Sequence, residues 1–98
     1  MTNYEITFVV RPDMEEAEIT KTADELKKVL KAKKAKLISE KALGQKELAY
    51  EIKKFNTGYY FLFEVEASKE AIDEFDHAVR INENLLRHLI VRVKKENN

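Results

Sequence analysis

The sequence predicts an α+β fold of order β-α-β-β-α-β, with a four-stranded antiparallel sheet and two helices on one face. Three observations carry that expectation. Two segments place apolar residues at helical spacing, and four others alternate in polarity or are rich in β-branched and aromatic residues. Only two Gly and one Pro interrupt the 98 residues, so regular elements must be joined by short connections. The length suits a single domain, residues 1–98, with one modest core. Right-handed crossovers then set both helices on the same side of the sheet.

The first strand is Tyr4-Glu5-Ile6-Thr7-Phe8-Val9-Val10, whose alternation puts Ile6, Phe8 and Val10 on one face. Pro12 ends it, having no amide hydrogen for a ladder. Asp13 with Glu16 has the form of a capping box, so a helix is expected to begin there. Ile19, Ala23, Leu26 and Leu30 form its seam. Lys27, Lys28, Lys31, Lys33 and Lys34 crowd its end, where cations complement the helix dipole.

From residue 36 to about 52 the helical period is lost, and Leu37, Ile38, Leu48, Tyr50 and Ile52 predict a long strand with a bulge or bend at Gly44. Phe55-Asn56-Thr57-Gly58 has turn composition. Residues 59–67 are the strongest strand signal, with Tyr59, Phe61, Phe63 and Val65 in one row and Tyr60, Leu62, Glu64 and Glu66 in the other. Ser68 can cap a second helix with the seam Ile72, Phe75 and Val79, which Asn82-Glu83-Asn84 stops. Residues 85–93 make the last strand, and residues 94–98 are expected to fray. In that strand Leu89, Val91 and Val93 alternate with His88, Ile90 and Arg92. The two rows differ so little in polarity that pairing must decide which one meets the helices.

Both helices cover one face, so the other stays bare. Val9, Tyr60, Leu62 and Ile90 are the candidates to lie there, and a partly apolar, uncovered face suggests a docking surface, against the plainer reading that isolated exposed apolar residues are normal.

Charge and composition narrow the function. The absence of Cys excludes a disulfide framework, a thiolate metal site and a cysteine nucleophile together. No apolar run reaches the eighteen or so residues of a membrane span, and the N-terminus lacks a signal-peptide core. A cytosolic protein is expected. Eighteen basic residues balance eighteen acidic ones, so no global field draws the chain to a polyanion. The balance is uneven in sequence, however. Residues 64–76 hold six acids and one base, whereas residues 80–95 hold Arg80, Arg87, Arg92, Lys94 and Lys95 against Glu83 alone. Arginine's planar fork suits phosphate and stacks on bases, which makes the second stretch a candidate RNA contact. Catalytic machinery is not apparent. There is no P-loop, dinucleotide fingerprint or nucleophile elbow. His77 and Asp76 diverge by about 100° around their helix. No enzyme activity, cofactor, metal or small-molecule substrate is expected. The aromatic signature of RNA-recognition modules is missing too, which leaves Tyr59 to the core.

Several segments together resemble a known family. Tyr4-Glu5-Ile6 with Arg11-Pro12, Leu48-Ala49-Tyr50-Glu51-Ile52 with Lys53, Gly58-Tyr59, Glu74-Phe75-Asp76, Arg80-Ile81-Asn82-Glu83 and Leu86-Arg87-His88-Leu89 stand in its order and spacing. The chain resembles the bacterial small-subunit ribosomal protein six family over residues 3–93. That resemblance implies a ferredoxin-like fold and a structural, non-catalytic role in the small ribosomal subunit in the cytoplasm. It also implies binding to the central domain of small-subunit rRNA as a heterodimer with ribosomal small-subunit protein eighteen. The chain departs from the family around the second strand. Gln45, Lys46 and Glu47 stand where basic residues are usual, Leu43 replaces a frequent Trp, and Thr2-Asn3 lacks the N-terminal basic residue. RNA contact is therefore expected from Arg80, Arg87 and Arg92 first, with Lys46, Lys53 and Lys54 as secondary phosphate contacts. The alternative is a stand-alone ferredoxin-like interaction or regulatory domain that binds no RNA.

Overall fold

The computed structural model describes residues 2–93; the expected fraying segment, 94–98, lies outside the described residues. The elements are β1 (Thr2–Val10), α1 (Glu16–Ala32), β2 (Lys36–Ile52), β3 (Phe55–Ala67), α2 (Lys69–Ile81) and β4 (Leu85–Arg92). All neighbouring strands pair antiparallel in the order β2-β3-β1-β4, the ferredoxin-like arrangement.

Both helices bury the seams their spacing dictates. In α1 these are Ile19, Ala23, Leu26 and Leu30, joined by Thr22, whose hydroxyl donates to the Glu18 carbonyl at 2.9 Å. The helix starts at Glu16, and Asp13 is not its cap. Arg11 has claimed that carboxylate, with Nε and Nη2 at 2.7 and 2.8 Å from its two oxygens. At the other end Lys34 takes a left-handed φ of 61°, so that the Lys34 and Ala35 amides reach back to the Lys31 and Leu30 carbonyls. Those are the two bonds of a Schellman stop, made here without glycine. In α2, Ser68 Oγ accepts from the Ala71 amide at 3.1 Å, as a Ser N-cap should.

Between the layers lies an aromatic core. Phe8 stacks on Phe61 at 5.1 Å, meets Phe63 edge-on at 4.9 Å and faces Phe75 from α2. Ile6, Val10, Phe63, Val65 and Phe75 are fully buried around it. Burying each such side chain contributes roughly 1.5–3 kcal/mol, which is why these rows dictate the sheet's orientation.

Two features depart from expectation. The β2–β3 turn is Lys53-Lys54, both with positive φ (49° and 70°), a two-residue primed hairpin turn. Phe55-Asn56-Thr57-Gly58 is therefore strand, since the left-handed turn closes directly on the Ile52–Phe55 pair. The second departure lies in β4. Val10 pairs with Leu85 but Val9 pairs with Arg87, so Leu86 is an extra residue, a bulge. That one residue reverses the parity of everything after it. His88, Ile90 and Arg92 pair with Phe8, Ile6 and Tyr4 on the helix side, while Arg87, Leu89 and Val91 pair with Val9, Thr7 and Glu5 on the open side. Ile90 is thus removed from the bare face and packs against the core, because its partner Ile6 is a core residue.

Candidate nucleic-acid interface

β1 pairs with β3 only as far as Val10–Tyr59, so residues 47–57 of the β2–β3 hairpin overhang the end of β1 as an arm. The arm closes back on the open face through Gly58. A Cβ there would overlap Val9 Cγ1 and touch Leu48 and Leu86. Glycine permits that approach, and Val9, although on the face without helices, is only 2% exposed. Val9 is therefore a buried support and not the exposed contact the sequence suggested.

The closure brings cations and rings together. From the open side of β4, the Arg87 guanidinium lies 5.8 Å from the Tyr50 ring centroid, and Nη1 donates to Tyr50 Oη at 3.5 Å. Lys46 Nζ sits 5.9 Å from the Tyr60 ring, and Arg11 lies 5.5 Å from Phe55. Lys53 and Lys54 project at the exposed tip. Among the described residues, Arg87, Lys46, Lys53 and Lys54 make no ion pair. Cations free of ion pairs beside aromatic rings, on the hairpin and the adjoining β4, form a surface chemically suited to single-stranded nucleic acid.

Arg80 and Arg92 do not join them. Arg80, in the last turn of α2, donates from Nε to Asp76 Oδ2 at 2.8 Å, and Arg92 belongs to the helix-side row of β4. Proximity in sequence grouped the three arginines; a helix end and a bulged strand separate them.

Tyr60 and Leu62 do lie on the open face, paired with Val9 and Thr7, and both are half-buried. Leu89 and Val91 extend that apolar surface at 54% and 47% exposure, and neither was selected from the sequence. Their alternation with His88 and Ile90 was visible, but only the bulge tells which row is outside. A shallow hollow of about 190 Å³ opens here, bounded by Thr7, Val9, Tyr60, Arg87 and Leu89.

A polar cluster on the helix side was missed as well. His88 donates from Nε2 to Asp76 Oδ1 at 2.6 Å, and Arg80 holds the other oxygen. These bonds keep the Asp76 carboxyl below its usual range, the His88 bond contributing most, although partial burial opposes the shift. The cluster ties α2 to β4.

Two comparisons with known proteins bear on the chain as a whole. The family model described as "Ribosomal protein S6" matches residues 3–92. The crystal structure of 30S ribosomal protein S6 from Thermotoga maritima superposes with a TM-score of 0.89 at 27% sequence identity, covering 94% of this chain and 87% of that one.

Proposed function

Given that the chain belongs to the ribosomal protein S6 family, and so is a small-subunit ribosomal protein, we propose that it binds the central domain of small-subunit rRNA as a heterodimer with ribosomal small-subunit protein eighteen. One observation carries the reading. Arg87 on β4 and Lys46 on β2, neither in an ion pair among the described residues, adjoin an uncovered apolar surface of Tyr60, Leu62, Leu89 and Val91, and Lys53 and Lys54 continue the cations to the hairpin tip. A chain with no net charge releases few counterions when it meets RNA, so it binds weakly alone. A basic partner seated on the apolar face adds the missing phosphate contacts and extends the cationic arm into a continuous surface. Arg80 and Arg92, lying away from the arm, take at most peripheral phosphate contacts in this arrangement. Assembly as part of a ribosomal subunit places the protein in the cytoplasm.

The test is a binding titration of a central-domain rRNA fragment with the chain alone and then with its partner added. Weak, salt-sensitive binding alone and tight binding of the pair are expected. Tight, specific binding by the chain alone at ordinary ionic strength would overturn the role given to the partner. No binding in either case would favour the RNA-free interaction domain.

A further inference from the structure

We propose that Tyr50 is a stacking platform for one unpaired nucleobase of the bound RNA, an inference that rests on the RNA-binding reading above. Tyr50 is the most exposed tyrosine, at 61%, whereas Tyr4, Tyr59 and Tyr60 are all partly covered. A large ring left in water has no stabilising role of its own, and this one lies on the arm beyond the reach of the main core. It is nevertheless held in place. Arg87 covers one side of the ring at 5.8 Å and donates to its hydroxyl, which orients the ring before any ligand arrives.

The surroundings select the class of ligand. Lys46, Lys53 and Lys54 on the β2–β3 hairpin and Arg87 on the adjoining β4 make no ion pair among the described residues, so a polyanionic backbone can track past them while one of its bases rests on the ring. Every base offers a π-face, so the platform tolerates sequence and favours unpaired over helical RNA. Arg87 acts as a positioning residue for the ring as well as a phosphate contact.

The experiment compares Tyr50→Phe and Tyr50→Leu with the wild type. It measures binding to the central-domain rRNA fragment in the presence of the partner, across a salt titration, with thermal melts confirming that each variant folds. Tyr50→Phe, which keeps the ring, is expected to bind within about twofold of wild type, and Tyr50→Leu about five- to a hundredfold more weakly. The salt slope should not change, because stacking neutralises no phosphate. Wild-type affinity in Tyr50→Leu would overturn the platform. So would an equal loss in Tyr50→Phe, which would make the hydroxyl bond to Arg87 the whole effect. Weaker binding of Tyr50→Leu to the partner in the absence of RNA would reassign the ring to the protein interface. If the wild type itself fails to bind the fragment, the RNA-binding reading falls first and this proposal falls with it.

Discussion

Asp76 on α2 accepts a hydrogen bond from His88 on β4 at 2.6 Å, joining the last helix to an edge strand that the bulge at Leu86 has turned inward. Asp76 is held ionised by this bond and by Arg80, so its folded pKa lies below the ordinary 3.8. A depressed carboxyl contributes stability that is fully present above the unfolded value and is lost as pH falls through the folded value. Asp76→Asn should therefore cost about 1 kcal/mol at neutral pH, allowing for partial exposure, and progressively less as the pH is lowered below the ordinary carboxylate range. Urea unfolding at neutral and acid pH checks this; a difference that persists undiminished in acid would exclude the linkage.

Gly58 has no room for a Cβ beside Val9 Cγ1. Gly58→Ala should lower stability by about 1–3 kcal/mol through overpacking, with the denaturant slope unchanged. Combining it with Val9→Ala should recover part of that loss, because the second change removes the atom the new methyl meets. Simple additivity of the two losses would show that the contact is not the cause.

The two faces of α2 should respond very differently. Phe75 is fully buried against Phe8, and Phe75→Ala should cost about 3–5 kcal/mol. Ile81, one of the last α2 residues, is 68% exposed, and Ile81→Ser should fall within about 0.5 kcal/mol of wild type. Denaturation midpoints decide both.

Three lysines sit where backbone geometry favours Gly or Asn: Lys34 at the end of α1, and Lys53 and Lys54 in the hairpin turn. Lys34→Gly should stabilise by up to about 1 kcal/mol, as should the pair Lys53→Asn with Lys54→Gly. The turn variant is expected to lose RNA affinity and to lower the salt slope by about 1.4–1.8, since two phosphate contacts go with the charges. A turn variant that is more stable yet equally good at binding would remove the tip from the RNA surface.

Arg87 and Arg80 should separate in the same assay. Arg87→Ala is expected to reduce the salt slope by about one and to weaken rRNA binding in the presence of the partner. Arg80→Ala, which releases a side chain already bound to Asp76, should act mainly on stability. Equal effects of both on the slope would mean that the RNA reaches around to the helical layer.

The order of elements, the seams of both helices, the inward rows of β1 and β3 and the Ser68 cap were all legible in the sequence, and each is set by residues close together in the chain. Helical spacing at Ile72, Phe75 and Val79 or alternation at Ile6, Phe8 and Val10 needs no knowledge of what lies opposite, and together these patterns determined an α+β sheet with one bare face. Tertiary structure alone decided which row of β4 is outside, because the bulge at Leu86 exists only in pairing with β1 and reverses every later side chain. It also decided that Val9 is covered while Tyr50 is exposed, and that Arg87 joins Lys46, Lys53 and Lys54 while Arg80 does not. These outcomes depend on where the overhanging hairpin comes to rest, and that position follows from contacts between segments more than 30 residues apart in the chain, such as Tyr50 with Arg87.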